Sequence, residues 1–73
     1  MFTSVKSLTA YIDKNIEYIL DAKNHHECSE EEYQSYLIRM YDLLDKQISK
    51  LKSISCNHKL ILRYENKVNK VKE

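Results

Sequence analysis

The sequence predicts an all-α protein, a small antiparallel three-helix bundle, on three observations. Glycine and proline are both absent from the 73 residues, and a sheet protein draws on those two for its tight turns. Apolar residues recur at ~100° per residue in three separate stretches, which is the repeat of an α-helix. Between the stretches stand short polar clusters containing Ser or Asn, residues that cap helix N termini.

The first helix is expected over residues 4–23. Val5, Leu8, Ile12, Ile16, Ile19 and Leu20 share one stripe, and Thr3 or Ser4 can cap it, because a side-chain oxygen accepts from an otherwise unpaired first-turn amide. The stripe ends at Ala22, and Lys23-Asn24-His25-His26 is polar.

The second helix is expected over residues 30–54. Ser29-Glu30-Glu31-Glu32 has the Ser-x-x-Glu form of a capping box. Its three glutamates complement the positive end of the helix dipole. Tyr33, Leu37, Met40, Leu44, Ile48 and Leu51 then form a stripe, widened on its flanks by Tyr36, Leu43, Tyr41 and Ile54. A band this broad can meet two neighbours, which puts this helix in the middle of the bundle.

The third helix is expected over residues 58–72, with Asn57 as its cap and Leu60, Ile61, Tyr64, Val68 and Val71 on one face. The stripe of the second helix runs into it only approximately in phase, so a break is expected at Ser55-Cys56-Asn57. No internal repeat, low-complexity tract or linker divides the chain, which reads as a single helical domain over 1–73. A single core below about 70–80 residues rarely supplies more than about 3–5 kcal/mol, so self-association into a homodimer or binding to a partner is an expected source of further stability.

The stretch NHHECSEEEY, residues 24–33, is the one place that resembles a chemical site. His25, His26, Glu27 and Cys28 are ligand-type residues, and Cys56 with His58 would complete a mixed set suited to zinc. Distance opposes this within one chain. The second helix, at ~1.5 Å per residue, holds its two end loops roughly 35 Å apart, and a Cys28–Cys56 disulfide needs Cα atoms within about 7 Å. The stretch is therefore read as helix punctuation, with no metal and no cofactor expected. Catalysis is not expected either: Cys28 beside a histidine would lack an orienting third group and a water-excluding pocket, and no glycine-rich phosphate loop exists.

Net charge is +1, but it is unevenly spread. Residues 1–34 carry three lysines against seven acids, net −4, and residues 35–73 carry nine bases against four acids, net +5. Lys59, Arg63, Lys67 and Lys70 fall within a ~80° arc of the third helix, beside its apolar face, and Arg39, Lys46 and Lys50 line one side of the second. Such faces serve solubility, or they meet phosphate or an acidic protein patch. Tyr11 and Tyr18 share a side of the first helix displaced from its aliphatic stripe. They either border the third helix or form part of a partner surface. Ile38 and Leu62 point away from their stripes.

The N-terminal stretch MFTSVKSLTAYIDK lacks the apolar run of a signal peptide, and no window has the length of a membrane span, so a cytoplasmic protein with free thiols is expected. Two functional expectations follow. The first is a small non-enzymatic interaction protein, an adaptor, inhibitor or regulator of a larger protein, of the sort phages and mobile elements encode. The second is a small nucleic-acid-binding protein using the basic face of its last helix. A helix-turn-helix is poorly supported, because the second helix is long and the turn glycine is missing.

Overall fold

Ser4 opens the first helix: its Oγ accepts from the Ser7 amide at 3.1 Å, and its carbonyl receives the first helical bond, from the Leu8 amide at 3.2 Å. The computed structural model describes residues 4–25 and 29–73; Thr3, the other expected cap, lies outside them. Helix α1 spans Val5–His25, two residues longer than the polar stretch suggests, with Lys23 and His25 in a last turn where cations complement the helix dipole.

Helix α2 spans Glu30–Ile54. Ser29 takes extended backbone angles (φ −63°, ψ 158°) and its Oγ accepts from the Glu32 amide at 3.2 Å. Glu30, Glu31 and Glu32 fill the first turn, and Gln34 donates to the Glu30 carboxylate one turn back. The helix stops where Ser55 becomes extended, its N–H reaching the Leu51 carbonyl at 3.0 Å. Asn57 then caps helix α3, His58–Lys72, its Oδ1 accepting from the Leu60 amide at 3.1 Å. The break expected at residues 55–57 is thus made by two local devices, an extended serine and a capping asparagine, with no glycine.

The pairings between helices give the topology. On α1 and α3 the partners rise together, Asp13 with Tyr64 and Lys67, then Lys23 with Val71, so these helices run parallel. On α2 and α3 they run in opposition, Tyr41 with Val71 and Lys52 with Glu65. All three helices pack on one another, in a body of 41 × 24 × 15 Å. Its long dimension is that of α2, which at 25 residues and ~1.5 Å per residue is about 37 Å long.

The core takes Leu8, Ile12 and Ile19 from α1, Leu37, Leu44, Ile48 and Leu51 from α2, and Ile61, Tyr64, Val68 and Val71 from α3. Val5, Ile16, Tyr33, Tyr36, Met40, Tyr41, Ile54 and Leu60 pack around it, half-buried. Two positions depart from the sequence pattern. Leu20, placed on the core stripe by its spacing, is 46% exposed. It sits where the end of α3 leaves a shallow hollow bounded by Lys67, Lys70 and Val71, so α3 covers it only from one side. Asn15, 4% exposed, lies in the core, three residues after Ile12 and four before Ile19. Its Nδ2 has no hydrogen-bond partner, and neither does Oε1 of half-buried Gln47 on α2.

Candidate functional site

Of the stretch from residue 24 to 33, the described part is structural. His25 closes α1 and is exposed, and Ser29 caps α2; His26, Glu27 and Cys28 lie outside the described residues, and with them the expected Cys28 pairings. Cys56 is an exposed free thiol, two residues before His58. Among the described residues no three His, Cys, Asp or Glu side chains gather closely enough to hold a metal ion, and no helix is long and apolar enough to cross a membrane.

The basic arc of α3 is present but partly occupied. Lys59, Arg63, Lys67 and Lys70 are all exposed. Lys67 Nζ lies 3.1 Å from Asp13 Oδ1 and 4.7 Å from the centre of the Tyr64 ring, a cation–π distance. Tyr64 in turn donates to Asp13 Oδ2 at 2.8 Å. One α1 carboxylate therefore holds a phenol and an ammonium of α3, satisfying the hydroxyl of a buried tyrosine while neutralising one cation of the arc. Burial, and after it the hydrogen bond to Asp13, pushes the Tyr64 phenol above its ordinary value, with Lys67 and Thr9 opposing. The arc that stays open to a partner is Lys59, Arg63 and Lys70.

A second junction joins all three helices. The carbonyl oxygen of Val71, in the last turn of α3, accepts from Lys23 Nζ of α1 and, at 3.3 Å, from the Tyr41 hydroxyl of α2. The Lys23 ammonium also stands 6.0 Å from the Tyr41 ring. This gives a partner to one of the four carbonyls that every helix leaves unpaired at its C terminus. Beside it, Lys72 bonds Asp45 and Lys52 pairs with Glu65 at 3.4 Å, tying α3 to α2 along its length.

Tyr18 is 52% exposed and Tyr11 38%. Asp13 and Leu20 mark the side of α1 that faces α3. Tyr11 and Tyr18 each lie two residues away from one of these, about 200° round the helix, and so on the flank turned away from α3. On α2 the residues bonded to α3 are Tyr41, Asp45 and Lys52. Half-buried Tyr36, Leu43 and Ile54 lie about 160–200° from Asp45 and Lys52. By helical phase Tyr11 and Tyr18 of α1 and Tyr36, Leu43 and Ile54 of α2 lie on the flanks away from α3; Tyr18 lines a shallow hollow with Glu17, Leu20, Asp21 and Asn24, and Tyr36 another with Glu31, Glu32 and Arg39. Sequence spacing singled out the two α1 tyrosines. It did not join them to the α2 flank, because which side α3 covers is set by tertiary packing.

Compared with protein-family models, curated proteins and solved structures, the chain matches none.

Proposed function

We propose that this chain is a small non-enzymatic interaction protein that acts by docking a helix face on a larger protein, as an adaptor, inhibitor or regulator. The observation that carries the reading is the exposure of Tyr11 and Tyr18 on the side of the bundle that α3 leaves open. Tyrosine supplies large rigid contact area with a polar tip, and it is enriched where proteins meet. The hollow between α2 and α3 is lined by Asp45, Ser49, Lys52 and Glu65, residues engaged in or flanking solvated ion pairs.

The test is affinity capture from the native cell, with Tyr11→Ser/Tyr18→Ser as the control. A discrete protein retained by the parent chain and lost by the folded double variant supports the reading. The second reading, nucleic-acid binding, draws on Lys59, Arg63 and Lys70, which are exposed and without an ion-pair partner among the described residues. Sub-micromolar affinity for DNA or RNA at about 150 mM salt, lost on reversing Arg63 and Lys70, would put it first.

A further inference from the structure

We infer that the seam between α1 and α3 around Leu20 is a self-association surface, and that its occupant is a second copy of this chain, docked about a two-fold axis running along the helices. This face is distinct from the Tyr11 flank, with Tyr18 at the border between them, and its occupancy does not depend on the docking function above.

Two adjoining hollows meet at Leu20, which is 46% exposed. On the α1 side the wall is Glu17, Tyr18, Asp21 and Asn24; on the α3 side it is Lys67, Lys70 and Val71. The seam is thus an apolar strip with acids on one side and cations on the other. Glu17, Asp21 and Lys70 are exposed and have no ion-pair partner among the described residues. Lys67 shares its charge with Asp13, and Lys23 is turned inward onto the Val71 carbonyl.

The order of charge selects the occupant. A surface that fits this one needs its cations opposite Glu17 and Asp21 and its acids opposite Lys70, and a two-fold turn of the same patch supplies that order. Because α1 and α3 run parallel, an axis along them lays α1 of each copy on α3 of the other without changing level. Leu20 then meets Leu20, and the acids of each copy face the cations of the other, twice over. An axis across the helices would set α1 on α1 and acid on acid, which like charge opposes. The like charges that the favoured arrangement brings nearest are Lys14 and Arg63. Lys14 lies about 60° further round α1 than Glu17, and Arg63 lies about two turns before Lys70, so both stand at the edge of the contact. Two helices side by side, about 20 Å across, over the roughly 22 Å of α3 offer about 450 Å² in projection, below the ~800 Å² per partner of a standard interface. The dimer is accordingly weak and salt-sensitive.

The test is analytical ultracentrifugation of the whole chain from about 10 µM to about 1 mM, at about 50 mM and about 500 mM salt. The expected result is a mass that doubles with concentration at the lower salt, with dissociation at least about fivefold easier at the higher. Leu20→Glu should leave a monomer at every concentration. Glu17→Lys and Lys70→Glu should each weaken the dimer at least about tenfold alone. Mixed in equal amounts they should recover it, because the mixed pair has one parental and one exchanged contact and no like-charged one. Lys50→Glu, on α2, should change nothing. All these positions are exposed, and far-ultraviolet circular dichroism checks that each variant keeps its helix content. A parent chain that stays monomeric throughout overturns the inference, as does a dimer that survives Leu20→Glu or a mixture of the two charge variants that stays monomeric. None of these outcomes touches the docking function, which fails separately, when affinity capture retains nucleic acid and no protein.

Discussion

Replacing Asn15 with leucine should make the protein more stable, although it erases the most buried polar side chain of the core. Asn15 is 4% exposed and its Nδ2 has no partner. A buried donor left without an acceptor costs about 1–3 kcal/mol, and that penalty disappears with the amide. Leucine keeps the branched skeleton of asparagine but puts methyl groups where oxygen and nitrogen were. Burying a leucine side chain gains about 1.5–3 kcal/mol, and forcing the larger groups into a packed site costs about 1–3 kcal/mol. These two terms nearly cancel, so the relief of the orphaned donor sets the net gain at about 1–3 kcal/mol. Unfolding entropy near 2.1 cal/mol/K per residue makes each kcal/mol worth about 6–7 °C in a chain of 73 residues, for an expected rise of about 6–20 °C. The assay is thermal unfolding followed by circular dichroism, beside Asn15→Asp, which keeps the shape and buries a charge at a cost of about 3 kcal/mol or more. A lower melting temperature for the leucine variant together with a tolerated aspartate would refute the reasoning, because it would mean that position 15 is solvated and its amide engaged.

Three further outcomes are expected. Ser29→Ala should lower stability by about 0.5–2 kcal/mol in denaturant titrations, through loss of the Oγ acceptor at the Glu32 amide, while Cys56→Ala at an exposed site changes it by less than about 0.5 kcal/mol. The raised phenol of Tyr64 makes its contribution full below the ordinary tyrosine value of about 10 and lost as pH climbs through the higher folded value. Stability should therefore fall on the alkaline side above about pH 10, with a shallower fall in Tyr64→Phe. With Lys67 engaged by Asp13, three open cations on α3 predict a log–log salt slope near −2.7 for DNA, about a fortyfold loss between 50 and 200 mM salt. Polarisation titrations should accordingly find affinity weaker than micromolar at about 150 mM; a slope steeper than −3.6 would show that more phosphates are met than the arc can reach.

The helix ends were readable in the sequence because capping is chemistry within four residues. Ser29 and Asn57 each need only the amide three positions on, and both find it. The stripes of α2 and α3 were readable because α2 is the central element, covered on two flanks, so most of its broad band meets something. Helix α1 was harder. Its flanks differ in what covers them, and spacing carries no information on that. Leu20 has the phase of a core residue and the location of a rim residue. Asn15 has the phase of Leu8, Ile12 and Ile19, and that phase, weighed above its polarity, was the signal that could have found it. The tyrosine pair was visible as a displaced stripe, yet its place opposite α3 follows from Asp13 and Leu20, whose partners lie about fifty residues further along the chain.

The Val71 junction bears on how this protein tolerates sequence change. Its acceptor is a main-chain oxygen, which every residue type provides, so the side chain at position 71 has only to be apolar and of suitable size. The donors are the substitutable parts, and there are two of them, an ammonium from α1 and a phenol from α2, converging on the same atom. Loss of either leaves the oxygen occupied by the other. The docking of the last helix is thus protected by redundancy on the donor side and by indifference on the acceptor side. A lineage carrying this fold can vary positions 23, 41 and 71 one at a time without passing through an undocked intermediate.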